Sequence, residues 1–164
     1  MEKKSPSKTT DYYGGTTITP ENAPHVPLSA YKDFSAYKLF LVDVGLLGAL
    51  SELDVKSILE GNKIFIEFKG ALTEQYVLQQ LIADTDYTPY YFGTEKATFE
   101  QDFLIQKNQE VVPIEVKAET NIHSQSLKAF SEKYHPKEGV RFSLLPYMDQ
   151  EWFVNLPLYA VCNL

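Results

Sequence analysis

The sequence has one cysteine, Cys162, and can close no disulfide within the chain. Stability must then come from a packed core, and a lone thiol fits a reducing compartment. Arginine is almost as scarce: Arg141 stands alone among 15 basic residues, set against 22 acidic ones, for a formal net charge of −7. That balance excludes a protein that grips nucleic acid through broad electrostatics. It leaves room for a local basic groove, or for a partner that supplies one. There is no signal-peptide pattern and no apolar run long enough to span a bilayer. Together with the lone thiol, this sets the expectation of a cytoplasmic protein with no membrane partner. Histidine is confined to His25, His123 and His135, too scattered in sequence for a zinc site. Gly14-Gly15-Thr16-Thr17 lacks the lysine and the spacing of a phosphate-binding P-loop.

What is present fits one soluble domain of 164 residues, 44% hydrophobic and 23% charged, large enough to bury a core without staples. Residues 1–27 read as a flexible tail, with Pro6, Pro20, Pro24 and Pro27, many Ser and Thr, and no sustained apolar period. Residues 28–164 read as the single folded domain. A short apolar strand is expected around Lys38–Val42, running into a helical segment near Asp43–Leu50 that Asp43 can cap. Another short helix is expected over Asp54–Glu60, stopped by Gly61-Asn62. Lys63–Asp84 carries the strongest helical period. Thr88–Phe92 reads as a strand. Ser124 is placed to cap a helix ending at Tyr134, with Leu127, Phe130 and Tyr134 inward, before His135-Pro136. Val140–Leu145 and Leu158–Val161 read as further strands, the last beginning at a sheet edge because of Pro157. Trp152, Phe153 and Tyr159 are expected in the core. The order of elements predicts an α/β fold of the mixed α+β kind, a central mixed sheet flanked by helices.

The chemistry concentrates in Glu100–Lys117, EQDFLIQKNQEVVPIEVK. Two alternating runs flank a polar turn. Phe103 and Ile105 point one way, Asp102 and Leu104 the other. Val112, Ile114 and Val116 share one face, and Pro113, Glu115 and Lys117 the opposite one. With Asn108-Gln109 as a two-residue loop, Lys107 pairs with Glu110, and counting back sets Asp102 opposite Glu115. Like charges facing across a ladder destabilise it unless a cation intervenes. Upstream, Glu74, Val77, Leu78 and Leu81 fall at i, i+3, i+4 and i+7, so a carboxylate shares the apolar face of the helix and needs a partner.

Glu74, Asp102, Glu115 and Lys117 therefore form the candidate catalytic set. Asp102 and Glu115 offer hard oxygen ligands suited to Mg2+ or Mn2+, with Glu74 a third metal-side carboxylate. Lys117, beside two carboxylates, is a cation suited to developing phosphoryl charge.

At these residues the sequence resembles the domain of unknown function found C-terminal to the ATPase core in a large group of prokaryotic AAA-type ATPases. The matching stretches are PLSAYKDFSAYKLFLVDVGLL, EFKGALTEQYVLQQL, YYFG, EQDFLIQ, VVPIEVKAE, SLKAFSEKY and NLPLYA, from about Pro27 to the C-terminus. That family is similar to PD-(D/E)XK nucleases. The resemblance implies a restriction-endonuclease-like core, with the acidic helix residue at Glu74, the metal aspartate at Asp102 and the Glu-x-Lys pair at Glu115 and Lys117. The ATPase core and winged-helix segment that precede the domain in that family have no counterpart here. No ATP site is implied for this chain, and a truncated or stand-alone form of the domain is expected. Two functions follow as expectations. One is a metal-dependent nuclease acting on DNA, or less readily on RNA. The other is a catalytically silent interaction or regulatory module of an ATPase supplied in cis or in trans, which the 11 tyrosines and 10 phenylalanines would suit.

Overall fold

The computed structural model describes residues 12–18, 24–52, 63–93, 100–119 and 124–164. In chain order the regular elements are β1 (Tyr12–Ile18), β2 (Lys32–Leu41), α1 (Val44–Leu50), α2 (Lys63–Asp84), β3 (Tyr90–Phe92), β4 (Gln101–Lys107), β5 (Glu110–Val116), α3 (Gln125–Tyr134), β6 (Gly139–Ser143), β7 (Met148–Asp149) and β8 (Phe153–Pro157). Short 3-10 turns cover Leu28–Tyr31 and Leu158–Asn163. The strands form one eight-stranded mixed sheet in the order β2-β1-β3-β4-β5-β6-β8-β7. No helix among the described residues is long and apolar enough to cross a membrane.

The hairpin at the centre of the sheet forms in the register counted from the sequence as far as Phe103 and Ile114. Asn108 (φ 50°) and Gln109 (φ 64°) are both left-handed, as a two-residue hairpin loop with strand-matching twist requires. Lys107 pairs with Glu110, and the ladder runs on through Ile105 opposite Val112 to Phe103 opposite Ile114. Alternation then sorts the core into two layers. Phe103, Ile105, Val112 and Ile114 meet Val77, Leu78 and Leu81 of α2 on one face. Leu104, Phe92 and Ile18 belong to a second cluster that includes Phe130 of α3. Pro113 falls where β5 pairs with β4 without main-chain hydrogen bonds, and before pairing with β6 begins at Ile114, so the missing N–H leaves no gap.

α2 is tied to the start of the domain by two glutamines. The Gln75 amide donates to Leu41 O (2.7 Å) and accepts from Leu41 N (2.9 Å), and Gln79 accepts from Val44 N (3.0 Å). Asp43 caps α1 as expected, its Oδ1 accepting from Leu46 N at 2.8 Å.

The structure corrects several expectations. The tail over 1–27 does not hold for Tyr12–Ile18: β1 runs antiparallel to β2 and parallel to β3. Pairing with distant strands stabilises it, and Gly14-Gly15 hides any apolar period. Residues 1–11 and 19–23, and the helix expected over Asp54–Glu60, lie outside the described residues. Leu158–Val161 is a 3-10 turn rather than a strand. The strand is Phe153–Pro157, paired on both sides by β6 and β7, so Pro157 ends an interior strand. Val161 joins the α2 core cluster, which accounts for its apolar character. Ser124 occupies the N-cap of α3 but its side chain makes no capping bond. Its hydroxyl accepts from Arg141 Nη1 at 3.1 Å instead. Phe153 is buried, but Tyr159 is 80% exposed and lies outside the core.

Candidate functional site

Beyond Phe103 and Ile114 the hairpin opens. Alternation assigns the next bonded pair to Gln101 and Val116, yet Val116 N donates to the Asp102 carboxylate (Oδ2, 2.7 Å), and the Gln101 side chain donates to Ile114 O at 2.8 Å. The Asp102 side chain thus takes a ladder position, the Gln101 side chain adds a bond to the last closed pair, and β4 slips by one residue against β3 over the same stretch. Such irregularities re-aim side chains where strands part. Asp102 and Glu115 flank this opening, one residue past the last closed pair, instead of facing each other across a finished ladder.

Their environments are unusual for carboxylates. Burial pushes the Asp102 carboxyl up to about 7; repulsion from Glu74 and, more weakly, Glu115 adds to this, while the Val116 N–H and the Lys38 charge oppose it. Glu115 is only 1% exposed, and neither of its oxygens accepts a hydrogen bond. Lys117 Nζ stands 3.2 Å from Oε1, an ion pair off the line of a hydrogen bond. Arg141, the register partner of Glu115 on β6, is buried beside it, and the carboxylate charge partly offsets the effect of burial on the guanidinium. A buried carboxylate with unused lone pairs is costly unless something supplies charge and donors.

Glu74 has the partner that its position on α2 demands, and the sequence did not name it. Lys38 of β2 reaches Glu74 Oε2 at 2.5 Å. Its ammonium also lies 4.7 Å from the Tyr91 ring centre and 5.4 Å from that of Phe40. The Tyr91 hydroxyl is held protonated by burial, by its hydrogen bond to Glu100, and by the charges of Glu100, Asp102 and Glu74. The signal for Lys38 was available: along β2, Tyr37 and Leu39 are exposed, while Lys38 keeps step with buried Phe40. A lysine on the inward parity of an apolar strand is out of place unless it meets a carboxylate.

Of the four predicted residues, Asp102, Glu115 and Lys117 come together at the parted ends of β4 and β5. Glu74 is near enough for its charge to be felt at Asp102, but it is engaged by Lys38. Among the described residues no three His, Cys, Asp or Glu side chains converge as a metal centre, so the trio expected of Asp102, Glu115 and Glu74 is not assembled. The Asp102–Glu115 pair still suits Mg2+ or Mn2+, hard ions bound through one or two carboxylates with water completing the shell. The buried Glu115 oxygens, which accept no hydrogen bond, are the observation that fits such a group. A cavity of about 470 Å3 lies elsewhere, beside α3 and β8, lined by Ser124, Lys128, Arg141 and Trp152 among others. None of the four predicted residues lines it, and its link to the carboxylates is Arg141.

No curated protein and no solved structure matches this chain. A family described as "Domain of unknown function (DUF4143)" matches residues 69–159, a stretch that contains Glu74, Asp102, Glu115 and Lys117 and leaves Lys38 outside. That match spans more than half of the 164 residues, and the chain belongs to this family of unknown function.

Proposed function

We propose that this chain is a divalent-metal-dependent nuclease domain with a PD-(D/E)XK, restriction-endonuclease-like core, hydrolysing nucleic-acid phosphodiesters in a cytoplasmic setting alongside an AAA-type ATPase. One observation carries the reading. Glu115 is buried at the parting of β4 and β5, its oxygens accept no hydrogen bond, and Asp102 flanks the same opening. Asp102 and Glu115 would hold Mg2+ or Mn2+. When bound, the ion supplies Lewis-acid activation of the phosphodiester and of water. The chain supplies the rest. The Val116 N–H fixes the Asp102 carboxylate. Lys117 carries its charge on the side of Glu115, where it can meet charge developing on phosphate. The test is incubation of the purified protein with Mg2+ or Mn2+ and single- and double-stranded DNA and RNA. Cleavage by the wild type, and its loss in Glu115→Gln and in Lys117→Ala, is the expected result. No cleavage under any condition, or equal cleavage by Lys117→Ala, removes the enzymatic reading.

A specific observation favours the silent-module alternative. The edge strand β2 exposes Phe34 (91%), Tyr37 (75%) and Leu39 (58%), an apolar strip of the sort that anchors partners. Stable capture of an ATPase, unchanged by Glu115→Ala and with no cleavage, would select this reading.

A further inference from the structure

The Lys38–Glu74 pair bears on how many ions the site can take. We propose that Lys38 is a positioning residue that holds the place of a second cation, so that the opening between Asp102 and Glu115 takes a single divalent ion and Glu74 takes none. The inference rests on reading that opening as a metal site.

Three observations carry it. First, Lys38 is built into the site. It comes from a strand 36 residues before Glu74, lies on the inward parity of β2, and pairs with Glu74 Oε2 at 2.5 Å. Its ammonium also sits near the rings of Tyr91 and Phe40, 4.7 and 5.4 Å from their centres. Lys38 is only partly buried, yet it sits between ring faces and the carboxylate, and a metal ion would have to displace it to reach Glu74. Second, its field reaches the metal-side carboxylate: Lys38 and Glu74 act on Asp102 in opposite senses. Lys38 thus offsets part of the Glu74 charge at the opening. Glu74 alone would add a full negative charge and invite a second ion. Third, no three acidic groups converge among the described residues, as a Glu74-containing ligand shell would require. What separates this role from an ordinary stabilising salt bridge is the ion count, which removing an ordinary salt bridge would leave untouched.

The experiment counts Mn2+ per chain by isothermal titration and by electron paramagnetic resonance, with circular-dichroism melts to verify folding. Wild type should take one ion. Lys38→Met should take two, with the second lost again when Glu74→Gln is added to it. Lys38→Arg, which keeps the charge, should take one. Glu74→Gln alone, which leaves the Lys38 charge uncompensated, should still take one ion, and this variant keeps the test open if Lys38→Met folds poorly. Two ions in the wild type overturn the inference. So does a single ion in folded Lys38→Met, or no ion in folded Glu74→Gln. No uptake by folded wild type and Lys38→Met overturns the metal reading itself, and this inference with it.

Discussion

Asp102 ties the chemistry to stability. Its carboxyl is raised to about 7 in the folded chain, against 3.8 for a free side chain, chiefly by burial and then by Glu74. A raised carboxyl favours folding while it stays protonated. Its contribution is complete below the free value of 3.8 and is lost as pH rises through about 7. A rise of this size sets an upper bound of about 4 kcal/mol on that loss. Urea unfolding of wild type and Asp102→Asn at pH 5 and pH 8 should show the variant gaining on the wild type as pH rises, since the amide has no charge to bury. Mn2+ at pH 8 should raise the melting temperature of the wild type and not that of Asp102→Asn, because the ion stabilises only a folded state that binds it. A wild-type curve parallel to the variant's across this range would contradict the assignment. The identity of this residue was legible in the sequence, but the place expected for it opposite Glu115 is not realised, because the ladder closes only as far as Phe103 and Ile114. Its environment was not legible either, because burial and the approach of Glu74 are products of packing.

Among the elements, the hairpin and α2 make separate demands. Gln109 holds φ 64° at the second loop position, where the left-handed conformation disfavours any residue with a Cβ. Gln109→Gly should stabilise the domain by about 1 kcal/mol, seen as a higher urea midpoint with unchanged slope. α2 fixes the end of β2 through the Gln75 amide, which satisfies both main-chain groups of Leu41. Gln75→Leu keeps the bulk and removes the bonds, and should cost about 2 kcal/mol in equilibrium unfolding. The period of Lys63–Asp84 and the alternation across β4 and β5 were plain in the sequence because each is a local repeat. β1 was not, since its partners lie far away in the chain and no repeat marks it. Leu158–Val161 misled for the converse reason: a short apolar run fits a strand as well as a buried turn, and only its contact with the α2 cluster separates the two.

Over the whole molecule, charge limits how nucleic acid can be held. The formal net charge is −7, and the cations beside the candidate site, Lys38, Lys117 and Arg141, all stand close to carboxylates. Few phosphates can therefore be neutralised. The affinity for DNA measured in Ca2+, to suppress cleavage, should fall with salt on a log–log slope no steeper than about −3. A slope of about −6 or steeper would point to a basic surface that these residues do not provide.

The sequence by itself determined the mixed sheet with helices, the hairpin register as far as Phe103 and Ile114, the Asp43 cap, and which four side chains to watch. All of these follow from local periodicity, turn chemistry and residue type, which need no knowledge of distant neighbours. Tertiary structure decided what those side chains meet. It bound Glu74 to Lys38, parted β4 from β5 at Asp102, and buried Glu115 with its oxygens unsatisfied. The physical reason is that proton affinity and ion pairing depend on charges and burial brought together across strands, and no spacing along one chain encodes those distances.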